Sequence, residues 1–291
     1  MRIAVTGAGG QLGRELVAVL PLRGHSVVAL TRALCDVVDA ASVERAIDPG
    51  VDAVVNCAAW TAVDAAEDHI DEATAVNAVG AGNVAQLCAR RGIAMLHVST
   101  DFVFDGSAVS PIGEDATPGP VNAYGAGKLE GERLVGEALG DEHLVARTSW
   151  LFGQDGPNFV LTMLRLADER SALGVVADQL GSPTWTGHLA PALARLLERG
   201  ARGTFHLTNS GVTSWYGFAC EIVAAAEMSV PVEPLTTAKY PTRARRPRYS
   251  VLDNRRWREL GEPPLPAWEE GVRGYLASRS VANGVVEGVV R

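Results

Sequence analysis

The sequence predicts an α/β fold, a doubly wound parallel sheet followed by a smaller C-terminal part. Strand-like apolar runs alternate with helix-like segments up to about Ser149, and this pattern changes after Trp150. Several of the runs are apolar nearly throughout, which is typical of parallel strands covered on both faces. The predicted strands are Ile3–Val5, Ser26–Leu30, Ala53–Cys57, Ala94–Val98 and Leu144–Thr148, and the helices between them are Gln11–Leu20, Ala41–Ile47, Asp71–Arg91 and Tyr124–Leu139.

The first predicted strand runs directly into a glycine-rich turn. Gly7, Gly10 and Gly13 have the spacing G-x-x-G-x-x-G, and helix-like residues follow at once. Because glycine tolerates positive φ and has no Cβ, a diphosphate can approach such a turn and the free N–H groups of the helix behind it. Glycine spacing alone is also compatible with a turn that binds nothing. The strand before it and the helix after it favour a dinucleotide-binding βαβ unit of the Rossmann type.

The end of the second predicted strand bears on the choice of dinucleotide. An acidic residue at this place usually binds the adenosine ribose hydroxyls, but here the strand ends in a threonine and Arg32. Arg32 can pair with a 2′-phosphate, which favours NADPH with NADH tolerated, or it can simply point into solvent. Asp36 and Val37 can reach the adenine. Small residues after the third predicted strand, Ala58 and Ala59, allow the backbone to lie close to the cofactor.

A tyrosine and a lysine four residues apart, Tyr124 and Lys128, share one face of a predicted helix. A nearby ammonium is expected to lower the pKa of the phenol from about 10 towards neutrality, so that it can protonate a carbonyl oxygen as hydride arrives. Ser99 and Thr100 end the preceding predicted strand, where a hydroxyl can hold the same oxygen. Taken alone, the tyrosine and lysine would be a surface pair. Together with the hydroxyl and the glycine turn they predict a reductase site.

Composition excludes several classes of function. The chain has 291 residues, 47% of them hydrophobic, and a net charge of −8, which argues against a general affinity for nucleic acid or anionic membranes. Its four cysteines are scattered without zinc-site spacing, as in a reducing cytosol. We find no signal peptide and no apolar run as long as a membrane span, and we expect a cytoplasmic protein.

The second half carries its own elements. We predict helices over Asn158–Glu169, Trp185–Glu198 and Ser214–Glu227, a strand over Gly203–Thr208, a turn over Asp178–Thr184 and an irregular segment over Val230–Arg248. The predicted organisation is a cofactor-binding part over residues 1–149, completed by segments near 203–229. Residues 150–291 would mainly bind the substrate.

A series of motifs resembles the extended short-chain dehydrogenase/reductases, and more narrowly the family of dTDP-4-dehydrorhamnose reductases. They run in order over nearly the whole chain, at residues 6–13, 56–64, 99–104, 124–128, 147–150, 158–159, 178–184 and 246–247. The first and fourth are shared by the superfamily. Ser-Thr-Asp-Phe-Val-Phe at 99–104, Arg-Thr-Ser-Trp at 147–150 and Asp-Gln-Leu-Gly-Ser-Pro-Thr at 178–184 are more specific to this reductase group.

The resemblance implies a role for each matching residue. The catalytic residues would be Thr100, Tyr124 and Lys128. The residues in contact with the cofactor would be Gly10, Gln11, Leu12, Asp36, Val37, Ala59, Trp60, Thr61, Tyr124 and Lys128. The residues in contact with the substrate would be Thr100, Asp101, Trp150 and Asn158. Glu15 matches a glutamate that some relatives are thought to use for Mg²⁺ in a dimer. Because the remaining ligands cannot be placed, we predict no metal site, and a homodimer stays open.

Positive charge is concentrated between Lys239 and Arg258 in an otherwise acidic protein. A dTDP-sugar carries a diphosphate, which arginine side chains bind well. Surface ion pairs explain most of these residues, and we predict that Arg246 contacts the diphosphate. Trp150 can stack on the apolar face of a sugar or pack in the core.

The predicted reaction is NADPH-dependent reduction of the C4 ketone of dTDP-4-dehydro-β-L-rhamnose to dTDP-β-L-rhamnose. One alternative keeps the chemistry and changes the sugar to another dTDP-4-keto-6-deoxyhexose, as in antibiotic glycosylation. The alternative of another class is a non-catalytic NADP-binding regulatory subunit, against which the intact Tyr124 and Lys128 pair argues.

Overall fold

The computed structural model describes residues 1–288, with the side chains of residues 1–279. Its strands are β1 Arg2–Thr6, β2 Ser26–Leu30, β3 Ala53–Asn56, β4 Ala94–Thr100, β5 Leu144–Thr148, β6 Leu151–Phe152, β7 Leu173–Val176, β8 Leu180–Gly181, β9 Thr184–Trp185, β10 Gly203–His206, β11 Thr213–Ser214 and β12 Val232–Leu235. Its α-helices are α1 Gln11–Leu22, α2 Ala40–Ala46, α3 Val63–Ala66, α4 Ile70–Thr74, α5 Gly80–Arg91, α6 Ala123–Leu139, α7 Phe159–Glu169, α8 Thr186–Glu198, α9 Trp215–Ala225, α10 Arg255–Glu259 and α11 Trp268–Gly288.

Six strands form one parallel sheet in the order β10-β5-β4-β3-β1-β2. The strand order reverses at β1, which lies between β2 and β3. Because the strands are parallel, their carboxyl ends lie along one edge, and a crevice opens where the order reverses. The predicted doubly wound fold is confirmed, and the strand predicted near residue 203 completes the sheet.

Alternate residues of the sheet bury against helices on its two faces. Ile3 and Val5 pack in a core with residues of α1 and α8, whereas Ala4 packs in a second core with residues of α2, α5 and α6. All three β1 residues are fully buried. Covering on both faces explains why the strands read as continuous apolar runs in the sequence.

A third core lies in the second half of the chain, built from α7, α9, α11 and β7, with Phe152, Phe218 and Tyr275 among its fully buried aromatic side chains. Here the sequence predictions were partly wrong. The segment predicted to be irregular contains β12, which pairs in parallel with β7, and the predicted turn contains β8. The division of function between residues 1–149 and 150–291 stays a prediction.

The helix predicted over Asp71–Arg91 is interrupted by a π-helical turn over Ala75–Val79, between α4 and α5. Within this turn, the Asn77 side chain accepts a hydrogen bond from the Trp60 N–H (2.9 Å) and donates one to the Trp60 carbonyl (3.1 Å). The backbone that follows β3 is thereby held from both sides, beside the carboxyl edge of the sheet.

Candidate active site

A cavity of about 740 Å³ opens at the carboxyl ends of β1, β3, β4 and β5. One wall comes from the sheet and the turns that follow its strands, and the other from the second half of the chain. Nearly all of the predicted site residues line it: Gly7, Gly10, Gln11, Leu12, Gly13, Arg32, Asp36, Val37, Ala58, Ala59, Trp60, Thr61, Thr100, Asp101, Tyr124, Lys128, Trp150 and Arg246.

The glycine turn has the geometry that a diphosphate requires. Gly7 has a φ of +66°, and a Cβ there would lie 2.6 Å from the Ala58 nitrogen. The first intrahelical bond of α1 runs from the Arg14 N–H to the Gly10 carbonyl, and no side chain caps the amides before it. These amides and the positive end of the helix dipole therefore suit an anion at the cavity wall.

The predicted adenosine end of the cavity is held firmly. Asn83 donates hydrogen bonds to the carbonyls of Val37 (2.9 Å) and Val38 (3.0 Å), and Asp36 accepts one from the Val38 N–H (3.1 Å). Arg32 lines the same end of the cavity with an exposed side chain. A guanidinium in this position is available to a 2′-phosphate.

Two elements bring the reactive hydroxyls together. Thr100 ends β4, where its Oγ1 accepts from the Phe102 N–H (3.2 Å) and donates to Asp101 Oδ1 (3.1 Å). Helix α6 begins beside it, because Asn122 Oδ1 accepts from the Gly125 N–H (2.8 Å) and caps its N-terminus. The Tyr124 ring packs edge-on against Phe102 with centroids 5.7 Å apart, and the Tyr124 and Thr100 hydroxyls interact.

The expected low pKa of Tyr124 was wrong. Burial is the largest cause and raises the pKa of Tyr124 to about 12; the interaction with Thr100 lowers it and the charge of Asp101 raises it. The charge of Lys128 is not among the causes that act on Tyr124; its side chain is fully buried, and its Nζ donates to the Val98 carbonyl (2.7 Å). Burial lowers the pKa of Lys128 itself to about 8. Tyr124 is therefore a phenol that keeps its proton at neutral pH.

Four buried side-chain oxygens on the cavity wall have no hydrogen-bond partner within the described part of the chain. They are Gln11 Oε1, Ser99 Oγ, Asp101 Oδ2 and Thr148 Oγ1. Buried polar atoms are almost always paired, so this set indicates that polar groups of a ligand complete the site. Burial also raises the pKa of Asp101 to about 7, since the interactions with Ser250 and Thr100 lower it only in part.

Trp150, Asn158 and Arg246, for which substrate contacts were predicted, each make contacts within the protein. Trp150 has a φ of +47°, and its ring stacks on Trp215 at a centroid distance of 3.6 Å, so one ring face is already covered. The Asn158 side chain is not placed on the cavity wall: it accepts from the Leu161 N–H (3.0 Å) and caps α7. Arg246 does line the cavity but is held by two hydrogen bonds to Asp64 (2.9 and 2.8 Å).

Two aromatic residues from the second half of the chain line the cavity without having been predicted as site residues: Phe159 and Trp215. Both belong to helices, at the first residue of α7 and of α9, and the two rings contact each other with centroids 4.7 Å apart. An aromatic residue at a predicted helix start gives no sign that the helix points at a site; the motif at 158–159 includes Phe159, whereas no matched motif includes Trp215.

Glu15 lies near α8, where its Oε2 accepts from Thr186 Oγ1 (3.3 Å) and burial raises its pKa. In the part of the chain that the structure describes, no three His, Cys, Asp or Glu side chains lie together as a metal site would require. No further ligands that could join Glu15 in a Mg²⁺ site are therefore found in that part of the chain. Among the described residues, no helix is both long and apolar enough to cross a membrane.

The family model described as the RmlD substrate binding domain matches residues 1–281. The chain belongs to this family. A dTDP-4-dehydrorhamnose reductase of Streptomyces griseus is 45% identical over 276 residues, which covers 92% of this chain and 90% of the relative. A dTDP-4-keto-6-deoxy-D-glucose reductase of Streptomyces niveus is 41% identical, with 92% of this chain and 93% of the relative covered.

Solved structures in the family share the fold described above. The dTDP-4-dehydrorhamnose reductase of Bacillus anthracis, crystallised in complex with NADP, superposes with a TM-score of 0.92 at 38% identity and covers 95% of this chain and 99% of its own. The resemblance inferred from the sequence motifs is confirmed.

Proposed function

We propose that this chain is an NADPH-dependent reductase that converts the C4 ketone of dTDP-4-dehydro-β-L-rhamnose to the alcohol of dTDP-β-L-rhamnose. The observation that carries the proposal is the meeting of Thr100, Tyr124 and Lys128 beside the uncapped glycine turn of α1. The naming of relatives at 40–45% identity as dTDP-4-dehydrorhamnose reductases supports the substrate. The complex of the Bacillus anthracis relative with NADP supports the cofactor.

When bound, NADPH supplies a hydride to C4. This chain supplies the proton: Tyr124 donates its phenolic hydrogen to the carbonyl oxygen, which becomes a hydroxyl, and a phenolate remains on the tyrosine. A pKa of about 12 keeps Tyr124 protonated until that oxygen gains charge. Thr100 would hydrogen-bond the same oxygen. Lys128, four residues along α6, would contact the cofactor from the same helix face.

Arg32 at the adenosine end supports NADPH over NADH, because the residues directly after β2, Thr31 and Arg32, include no carboxylate that would bind the free ribose hydroxyls. The orphaned oxygens of Ser99, Asp101 and Thr148 lie beside the reactive hydroxyls and are suited to sugar hydroxyls and the nicotinamide amide. A cytoplasmic location stays a prediction, and neither Mg²⁺ nor a homodimer is part of this proposal.

A second substrate is favoured by a specific observation: the 41% identical relative from Streptomyces niveus is named for a different 4-keto-6-deoxyhexose. Both readings use the same residues for the chemistry. Comparing kcat/KM on dTDP-4-keto sugars that differ only at C2 or C3 separates them. The substrate with the higher kcat/KM is the physiological class.

The proposed acid is tested with Tyr124→Phe. We expect NADPH oxidation with dTDP-4-dehydrorhamnose to fall by about 10²–10⁴-fold, the usual contribution of a positioned acid, while NADPH still binds. Tyr240→Phe is the matched control, since Tyr240 is exposed and lies outside the cavity. A Tyr124→Phe enzyme as active as this control would refute the assignment. Binding of NADPH by the wild-type chain without turnover of any dTDP-4-keto sugar would indicate the regulatory alternative.

A further inference from the structure

A fully buried chain of polar side chains runs behind Lys128, away from the cavity. Thr6 Oγ1 donates to Asn56 Oδ1 (2.6 Å), Asn56 Nδ2 lies 3.1 Å from His97 Nδ1, and His97 Nε2 lies 3.4 Å from Lys128 Nζ. Thr6, Asn56 and His97 are at most 1% exposed and Lys128 is 2% exposed. The chain joins β1, β3, β4 and α6, and the reaction proposed above gives no role to its first three members.

One end of this chain has a fixed polarity. The backbone N–H of Ala58 also points at Asn56 Oδ1 (3.3 Å), and a backbone N–H can only donate. The oxygen of the Asn56 amide therefore belongs on that side, and its NH₂ group faces His97. A donor facing His97 Nδ1 requires a bare nitrogen there, so the proton of the neutral imidazole lies on Nε2.

His97 stays neutral in this position. Burial is the main cause that lowers the pKa of His97 well below its ordinary value, and the charge of Lys128 acts in the same direction. The Nε2–H bond then points at Lys128 Nζ. An ammonium has three donors and no acceptor, so it meets this N–H unfavourably, whereas a neutral amine can accept from it.

We infer that His97 is a positioning residue for Lys128, held by Asn56 as the Nε2–H tautomer, and that it favours the neutral amine over the ammonium. This inference rests on the proposed function for its catalytic meaning. With the neutral amine favoured, Lys128 loses its proton easily. It does so close to Tyr124, which must be reprotonated in each catalytic cycle.

Other groups around Lys128 do not replace this effect. On its own helix, the Glu132 charge favours the ammonium, but Glu132 already forms a bidentate ion pair with Arg147 (2.9 and 2.6 Å). From the turn after β3, the buried Cys57 thiol, whose pKa burial raises to about 12, stays uncharged. Tyr124, one turn earlier on α6, also keeps its proton. From β4, the Val98 carbonyl accepts from Nζ (2.7 Å), and a neutral amine can donate to it as well as an ammonium can. His97 is thus the side chain on β4 that faces Nζ through a hydrogen-bonding group of set polarity.

The tautomer can be observed directly in the ligand-free protein. In ¹⁵N-histidine-labelled wild type, with His97→Gln used to assign the signal, we expect His97 to be neutral with the proton on Nε2 at pH 7. A proton on Nδ1, or an imidazolium, overturns the inference. This measurement needs no substrate, so it stands or falls separately from the proposed reaction, which fails if the wild type does not turn over any dTDP-4-keto sugar.

The effect on Lys128 can be measured because the chain contains just two lysines, Lys128 and Lys239. In ¹³C-lysine-labelled protein, the exposed Lys239 serves as the internal reference. Asn56→Asp is nearly isosteric, but an ionised carboxylate can only accept hydrogen bonds. His97 must then carry its proton on Nδ1, where it donates to the new carboxylate, and it presents a bare Nε2 to Lys128. The direction of the hydrogen bonds along the chain of side chains is thereby reversed. We expect the Lys128 titration midpoint to rise by about one pH unit or more, with Lys239 unchanged.

Activity supplies the last readout. In Asn56→Asp, the alkaline limb of the plot of kcat against pH should move to higher pH together with the titration midpoint of Lys128. KM for NADPH should change little. If the Lys128 midpoint shifts in Asn56→Asp while the His97 tautomer stays unchanged, the charge of the new carboxylate alone explains the shift, and the inference is rejected. An unshifted midpoint rejects it too. If Asn56→Asp does not fold, the wild-type tautomer alone decides.

Discussion

At the scale of single residues, burial and the lack of hydrogen-bond partners change the proton affinities of side chains in the site. Asp101 is 1% exposed, lacks a cationic partner among the described residues, and has one oxygen without a hydrogen bond. Such a carboxyl prefers to be protonated, which is why its pKa is raised to about 7. A ligand that donates a hydrogen bond to that oxygen would favour the charged form.

Asp101→Asn should therefore alter stability in a pH-dependent way. The raised folded-state pKa means that wild type loses stability as pH rises from about 3.8, the unfolded value, through about 7. The variant has no proton to lose. Relative to wild type, we expect its free energy of unfolding to increase between pH 4 and pH 8 by on the order of 2–4 kcal/mol.

Urea unfolding at both pH values measures this difference. Asp141→Asn, at an exposed aspartate outside the cavity, is the matched control and should show no comparable gain. If the difference between Asp101→Asn and wild type is the same at pH 4 and pH 8, the buried carboxyl is ionised throughout and the account of Asp101 is wrong.

The identities of the reactive residues could be predicted from sequence, but their proton affinities could not. Spacing placed Tyr124 and Lys128 on one helix face, and the structure brings both to the cavity with Thr100. The pKa of a phenol depends on burial and on where its neighbours direct their hydrogen bonds, and Lys128 directs its bond to the Val98 carbonyl. The substrate contact predicted for Asn158 stays a prediction, because a helix cap and a ligand contact use the same amide and its side chain caps α7.

At the scale of elements, the junction of β1 and α1 leaves no room for a side chain at Gly13. A Cβ at Gly13 would lie 2.7 Å from the Ala8 Cα and even closer to the Gly7 carbonyl oxygen. The helix and the turn therefore approach each other too closely for a Cβ to fit between them. Both atoms belong to backbone, so the clash cannot be relieved by rotating a side chain.

A pair of glycine substitutions tests this constraint. Gly13→Ala should lower the free energy of unfolding by about 2–3 kcal/mol and abolish NADPH binding, because the turn must open. At Gly136, inside α6, a Cβ would meet nothing within 4 Å, so Gly136→Ala should raise stability by about 0.5–1 kcal/mol. Chemical denaturation and NADPH titration of both variants decide; equal effects at the two sites would contradict the packing described.

Elements with strong periodicity were predicted well, and those made by tertiary contacts were not. The sheet strands and α6 lie where expected. The π-helical turn at Ala75–Val79 has no local signal, since it depends on packing of Asn77 against Trp60 and α6. Likewise, β12 contains Pro234 and reads as irregular, yet it forms because β7 offers a partner strand.

At the scale of the whole molecule, the two halves meet across the cavity through ion pairs. Asp64 in α3 binds Arg246, and Asp68 just beyond binds Arg243 through its guanidinium (Nε 3.1 Å). The two pairs are chemically alike, but only Arg246 lines the cavity. The Arg246 hydrogen bonds are also the main cause that lowers the pKa of Asp64.

This likeness offers a controlled test of the predicted diphosphate contact. In Arg246→Gln we expect KM for the dTDP-sugar to rise about 10–100-fold with kcat little changed, because a charged hydrogen bond worth about 1.5–3 kcal/mol is lost. Arg243→Gln removes the neighbouring ion pair and should leave KM near the wild-type value. Steady-state kinetics on both variants gives the answer, and equal KM values would remove Arg246 from the substrate site.

The return of β10 to the sheet has a consequence for synthesis. Strand β5 is buried along its whole length, yet its outer neighbour is made only after more than fifty further residues. While the chain emerges from the ribosome, the edge of β5 stays open until His206 is outside the exit tunnel. An unpaired apolar edge of this kind invites pairing with other nascent chains. The order of the strands thus sets an interval during synthesis in which this strand edge is open to such pairing.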